Sequence, residues 1–219
     1  MGIMKNKFRG IFLVVTFTIS TMVPIGTASA AEGAVTCKPA RSVGHAPMKL
    51  DLPKIKKPFR DRTITLKTNC GDIVIAAYGT KAPLTVISMS YLANRGYFDK
   101  SICHRMVTNG IYIIQCGDPT ASGSGGPQWT VPDENLPTGN AGGNLYPAGT
   151  VAMANSGPNT NGSQFFFTYK DNSQLSANYT VWGKVIKGLD ILNYIASKGI
   201  GSDGIAPAQS LEIRRAMAN

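Results

Sequence analysis

From residue 63 onward the chain is dominated by short runs in which apolar and polar positions alternate, each ended by turn residues. Residues 63–68 (TITLKT) and 72–78 (DIVIAAY) are rich in β-branched side chains and flank Asn69-Cys70-Gly71, the pattern of two strands joined as a hairpin. Residues 101–107 and 111–116 repeat the pattern around Thr108-Asn109-Gly110, and residues 151–154, 165–168, 179–186 and 210–216 read as further strands. The period lengthens twice. Pro83, just after Lys81-Ala82, opens a helix in which Leu84, Ile87, Tyr91 and Leu92 fall at helical spacing before Asn94-Arg95-Gly96 stops it. A second helix over 189–198 carries Leu189, Leu192 and Ile195 on one face and ends at Gly199. Residues 117–146, rich in Gly, Pro and Asn, read as an ordered surface loop. The pattern predicts a mainly β domain with two helices, and antiparallel strands in this number commonly close into a barrel.

The amino-terminal part follows a different pattern. Lys5, Lys7 and Arg9 precede a largely apolar stretch over 11–25, and Ala28-Ser29-Ala30 follows with small residues. That is the pattern of a secretory signal peptide over residues 1–30, with an uncleaved membrane anchor as the alternative. The formal charge of +10 is unevenly placed. Residues 37–62 hold eight basic side chains (Lys38, Arg41, Lys49, Lys54, Lys56, Lys57, Arg60, Arg62) against Asp51 and Asp61, whereas the chain from Thr63 onward is nearly balanced. The basicity therefore belongs to a Pro- and Lys-containing linker over 31–62 and not to the domain over 63–219. That placement argues against nucleic acid as a partner. It fits a solvated tether with, at most, weak contact to an anionic cell envelope.

Cys37, Cys70, Cys103 and Cys116 form an even set in a chain read as secreted, which predicts one or two disulfides; three pairings are open. No Cys-x-x-Cys occurs, so neither a zinc site nor a dithiol redox centre is expected. The Gly-rich segment 117–126 lacks the Gly-Lys-Ser/Thr ending of a phosphate loop. Asp133 and Glu134 lie in a loop with no helix to converge them as an acid/base pair. No metal or cofactor is called for, and with no apolar helix face left exposed a monomer is expected.

What remains is a constellation without a nucleophile: His104-Arg105, then Gln115 leading into Gly117-Asp118, then Ala154-Asn155-Ser156-Gly157-Pro158-Asn159-Thr160-Asn161-Gly162-Ser163-Gln164-Phe165-Phe166. In these residues the chain resembles the cyclophilin family of peptidyl-prolyl isomerases, over about residues 63–216. The resemblance implies a closed eight-stranded antiparallel β-barrel capped by two α-helices, with a groove on its outer face that turns X–Pro bonds in proline-containing polypeptides. Such an enzyme, outside the cytoplasm, would assist folding. The alternative is a proline-peptide-binding chaperone or surface module with little turnover.

The same resemblance assigns Arg105, Gln115 and Gln164 to catalysis, and Tyr112, Ile113, Ala154, Asn155, Ser156, Phe166, Leu175 and Tyr179 to substrate binding. Asn155 would act largely through its backbone. The chain also departs from the family pattern. Two extra residues separate Arg105 from Gln115; Gln174 stands where well-known members have a Trp that contacts cyclosporin, which implies weak inhibition; and Tyr179 stands where they have a pocket His.

Overall fold

In a strand, neighbouring side chains point to opposite faces, so a sheet with one apolar side must bury every second residue. The computed structural model describes residues 1–3, 34–55, 57–139 and 143–219, and the expected signal peptide falls almost wholly outside them. The chain divides into two compact units, Met1–Gly33 and Ala34–Asn219, and the second holds every strand and helix described here. Its elements are β1 (Arg62–Thr68), β2 (Gly71–Ala77), α1 (Pro83–Asn94), β3 (Ser101–Ile102), β4 (Arg105–Val107), β5 (Ile113–Cys116), β6 (Thr150–Met153), β7 (Phe165–Thr168), β8 (Val181–Lys187), α2 (Leu189–Ser197) and β9 (Glu212–Ala218). No helix among the described residues is long and apolar enough to cross a membrane.

All strands pair antiparallel in one sheet of order β3-β9-β1-β2-β8-β6-β7-β5-β4. The sheet is thus nine-stranded and open between β3 and β4, which corrects the closed eight-stranded barrel implied by the resemblance. The reason lies at Cys103 and His104, which interrupt the single strand expected over 101–107. There the Cys103 N–H donates to Leu211 O and the Met106 N–H to Ile205 O, at 2.9 and 2.8 Å, so the chain bonds the loop before β9 in place of a continuous ladder. Cys103 is also held in a disulfide to Cys116.

The inner face carries Ile64, Leu66, Ile73, Ile75, Val151, Met153, Phe165, Phe167 and Trp182, all almost wholly buried. Phe165 is its centre, edge-on to Phe98, Phe167 and Trp182. Each such aromatic contributes roughly 1.5–3 kcal/mol by leaving water. Helix α1 buries Thr85, Val86, Met89, Leu92 and Ala93. Of the face expected from the sequence only Leu92 is fully buried; Leu84, Ile87 and Tyr91 are half-buried because the chain covers α1 on a second side. Trp129 supplies that cover, its ring beside Tyr91 and its indole N–H donating to Ser88 Oγ. The helix has no side-chain cap of its own. Glu134 replaces it from the long loop, accepting from Leu84 N, Thr85 N and Thr85 Oγ1. A carboxylate there satisfies free N–H groups at the positive end of the helix.

Part of the stretch expected as a solvated tether is fastened to the sheet, while Val43, Leu52 and Ile55 stay exposed. Val35, Cys37 and Leu50 pack against the core, and Cys37 is disulfide-bonded to Cys70 in the β1–β2 turn. Lys38 N donates to Asn69 O, and Ser42 Oγ donates to the buried Glu212 carboxylate.

Candidate active site

The outer faces of β4, β5, β7 and β6 bring the candidate residues together. Register sets Arg105 opposite Gln115, Gln115 opposite Phe166, and Phe166 opposite Ala152, so the four form a row across the sheet. Their chain neighbours Met106, Ile114, Cys116, Phe165, Phe167, Val151 and Met153 point inward. The two residues added between Arg105 and Gln115 lengthen the β4–β5 connection and leave this pairing in place.

Half of the row is polar. Arg105, exposed to solvent, donates from Nη1 to Gln115 Oε1 at 3.2 Å. Gln115 Nε2 donates to Gln164 Oε1 at 2.8 Å, and Gln164 Nε2 donates to both Gly123 O and Gly125 O at 2.9 Å. Two backbone carbonyls accept only, so they fix which end of the Gln164 amide faces them. That choice turns its oxygen to Gln115, whose own oxygen then faces the guanidinium. Reversing either amide would set donor against donor.

The carbonyls belong to loop 118–125, built around Asp118. This carboxylate is fully buried and accepts from Thr120 N and Oγ1, Ser122 N and Oγ, Gly123 N and Gly125 N. Burial raises its carboxyl pKa, but the hydrogen bonds from Thr120, Gly125 and Gly123 outweigh that and hold it below its ordinary range. Gly125 is required, because a Cβ there would lie 2.0 Å from Asp118 Oδ1. Beneath Arg105 sits His104, buried, with neither ring nitrogen hydrogen-bonded among the described residues. Burial lowers its pKa most, with Arg105 adding to the effect and Asp118 opposing it.

The other half is apolar. Ile113, Tyr146, Ala152, Phe166 and Leu175 form a second buried cluster, separate from the inner core, with Ile111, Ala154 and Tyr179 at its edge. Phe166 packs edge-on against Tyr179, with ring centres 5.4 Å apart. The Tyr146 hydroxyl donates to Ser176 O, and burial pushes its pKa up to about 12. Beside the relay, between loop 123–126 and the 154–162 segment, lies a cavity of about 320 Å³ lined by Gln115, Ala154, Asn155, Ser156, Thr160 and Gln164 together with Gly123–Gly126 and Gly162.

Residues 63–217 match the family model described as cyclophilin type peptidyl-prolyl cis-trans isomerase/CLD. The chain belongs to the cyclophilin family. Among its relatives, a protein named probable peptidyl-prolyl cis-trans isomerase B from Mycobacterium leprae is 40% identical over 183 residues, covering 78% of this chain and 61% of that one. The protein of the same name from Mycobacterium tuberculosis (strain H37Rv) is 38% identical over 181 residues, covering 77% and 58%. The chain thus spans about three-fifths of the length of these two relatives. A solved cyclophilin type peptidyl-prolyl cis-trans isomerase from Cryptosporidium parvum superposes with a TM-score of 0.64 at 30% identity, over 73% of this chain and 98% of that one. A further structure of it, determined in the presence of the dipeptide Ala-Pro, gives a TM-score of 0.63 at 30% identity, over 72% and 98%.

Of the site residues expected in this cyclophilin, Arg105, Gln115 and Gln164 form the polar relay, and Ile113, Phe166, Leu175, Ala154 and Tyr179 gather at the apolar cluster. Asn155 and Ser156 line the cavity beside the relay. The Asn155 side chain is engaged by a neighbouring loop, donating to Asn178 O between β7 and β8, while its backbone N–H and C=O make no hydrogen bond among the described residues. Tyr112 is not brought to the groove. It points to the other face, packing edge-on to Tyr169 with Lys170 over its ring, and its neighbour Ile111 joins the apolar cluster instead. Tyr112 stands just before β5, and its ring packs with the inner core while Ile113 joins the outer cluster. Ile111 and the Asp118 loop went unrecognised in the sequence. The closely spaced small residues of 117–126 mark an ordered loop in the sequence but not the hub that organises it. Cys103, in its disulfide, offers no thiol to the neighbouring His104.

Proposed function

We propose that the chain is a peptidyl-prolyl cis-trans isomerase acting on proline-containing polypeptides outside the cytoplasm and assisting their folding. The observation that carries the activity is the guanidinium of Arg105, aimed by Gln115 and Gln164 beside the Ile113–Phe166–Leu175 surface. Rotation about an X–Pro bond is slow because amide resonance imposes a barrier of about 18–20 kcal/mol. Twisting the bond breaks conjugation and returns a lone pair to the prolyl nitrogen. A donor directed at that nitrogen stabilises the twisted state more than the planar one, which is the requirement for catalysis. Arg105 suits this role because guanidinium stays charged and has directed donors.

In this reading the apolar cluster takes the proline ring, and the free backbone groups of Asn155 hold the peptide extended while the preceding carbonyl swings. Affinity of the groove for an Ala-Pro unit is inferred from the Cryptosporidium relative. The extracytoplasmic setting is supported by the signal-like pattern over 1–30 and by two disulfides, which persist in oxidising compartments.

The test is relaxation of an Ala-Pro-Phe peptide from cis to trans. Wild type should accelerate it, and Arg105→Ala should lose about 10²–10³ in kcat/KM with KM little changed. Arg105→Lys should recover only part, since an ammonium lacks the planar set of donors that lets one nitrogen bond Gln115 while another faces the substrate. No acceleration by wild type would leave a groove that grips proline without turning it. A fully active Arg105→Ala would remove the mechanism. Cell fractionation with amino-terminal sequencing of the mature protein checks the compartment; an intact residue 1 in the cytosol would overturn it.

A further inference from the structure

The polar relay ends on loop 118–125, and that loop is held from outside by residues that precede the matched family domain. His45 N donates to Pro119 O at 2.7 Å. Gly44, at φ +95, lies so close that a Cβ on it would sit 2.6 Å from Thr120 O and 3.3 Å from Ala121 Cβ. The His45 ring is anchored in turn, its Nε2 lying 2.9 Å from Asp99 O. Upstream, the same segment is pinned by Ser42 to the buried Glu212 at 2.6 Å, by Lys38 N to Asn69 O at 2.8 Å, and by the Cys37–Cys70 disulfide. Residues 37–45 therefore form a strap, covalently fixed at one end and resting on the loop at the other.

The loop's own hydrogen bonds gather on Asp118 and fix its shape. Its position against the sheet is a separate matter, because Ser122, Gly123 and Ser124 at its tip are exposed. Gln164 sits on the sheet and takes its orientation from Gly123 O and Gly125 O. A loop that shifts as a unit would lengthen both hydrogen bonds and release the amide order that points Gln115 Oε1 at Arg105.

We propose that residues 37–45, outside the 63–217 matched by the family model, are a positioning element of the groove: Gly44 and His45 hold loop 118–125 so that its carbonyls orient Gln164, and through Gln115 aim Arg105. The proposal rests on the isomerase reading. The strap touches neither the relay nor the apolar cluster. It acts by location, as a brace, and its loss appears in turnover before it appears in affinity.

The experiment uses the full chain and two readouts. Gly44→Ala places a methyl against backbone that cannot rotate away, at a φ that alanine rarely adopts, and so lifts the strap from Thr120. With every variant shown folded by circular dichroism at the assay temperature, kcat/KM for an Ala-Pro peptide should fall about three- to tenfold in Gly44→Ala with KM little changed. The side-chain amide signals of Gln164 in a ¹⁵N NMR spectrum should shift or broaden. His45→Ala, which frees the ring anchor without adding bulk, should move both readouts the same way, and His45→Gln, which retains a donor for Asp99 O, should restore them.

If Gly44→Ala does not fold, the two His45 variants decide. Unchanged turnover in the variants, or lost turnover with unchanged Gln164 signals, overturns the brace. An inactive wild type with Gln164 signals that still respond would sink the isomerase reading and leave the brace standing.

Discussion

The two halves of the groove are held by different physics. In the polar half, Arg105 is exposed and three side chains take their directions from each other and from two loop carbonyls. Little apolar surface is buried there, so the relay adds little to stability. In the apolar half, Phe166 is 2% exposed and wedged among Tyr146, Tyr179 and Ala152, so the surface that would receive a proline ring also forms a small core. Direction is specified by hydrogen bonds, which have one correct geometry, and capacity by packing, which is graded. Damage to the first half should therefore appear in kcat. Damage to the second should appear in KM and in stability together.

The largest expected effect tests the second half. Phe166→Ala empties a packed site and should cost about 3–5 kcal/mol of unfolding free energy, read from urea titration, while raising KM for a proline peptide. Unchanged stability would mean that Phe166 lies on the groove without supporting it. Next comes the first half. Gln164→Leu keeps the bulk but leaves Gly123 O and Gly125 O without their donor and Gln115 without its acceptor. A drop of about tenfold in kcat/KM is expected, equivalent to about 1.4 kcal/mol, with KM nearly constant. A rise in KM with kcat preserved would erase the distinction between the halves.

The two halves were also unequally legible in the sequence. Arg105, Gln115, Gln164 and Phe166 could be named because His104-Arg105, Gln115 and the distinctive 154–166 run resemble the family pattern; strand register then sets Arg105, Gln115 and Phe166 in one row. Tyr112 stands just outside β5, and its ring turns to Tyr169 and the inner core through contacts that no local pattern carries. The break at Cys103–His104, and with it the open sheet, depends on hydrogen bonds to residues about a hundred positions away, which no local pattern carries. The tether was read from charge and proline content, which describe solvation. What fastens it, a disulfide to Cys70 and a few hydrogen bonds to Asn69, Pro119 and Glu212, is long-range and leaves no periodic trace. Asp118 belongs to a motif in the sequence, but its role as the hub of a loop depends on donors from Thr120, Gly123 and Gly125 that the motif does not show.

A smaller effect concerns the ground beneath Arg105. His104 is buried, and its lowered pKa means that the folded state resists the proton that the unfolded chain accepts near the ordinary value of about 6.5. His104 thus contributes full stability above that value and loses it as pH falls toward the folded pKa. Asp118 and Glu212, whose pKa values are lowered from the carboxylate range, matter only in more acid solution. Urea midpoints should therefore decline from pH 7.5 to 5.5, roughly the range over which a histidine titrates, and His104→Gln should flatten that decline. An equal slope in both proteins would assign the effect elsewhere.

The smallest expected effect tests whether the apolar half is apolar throughout. Tyr179 occupies the position where the family resemblance expects a histidine, and its hydroxyl is a polar atom at the edge of the apolar cluster. It makes no hydrogen bond among the described residues, whereas its ring packs edge-on against Phe166 and its backbone N–H donates to the Tyr146 hydroxyl at 3.1 Å. Removing only the oxygen leaves both of those contacts. Tyr179→Phe should change stability by no more than about 0.5 kcal/mol and KM by no more than about twofold. A rise in KM of about tenfold, some 1.4 kcal/mol, is what one lost hydrogen bond to substrate would produce. That outcome would make the far edge of the groove a second polar contact and would confine the graded, packing-based half to Ile113, Phe166 and Leu175.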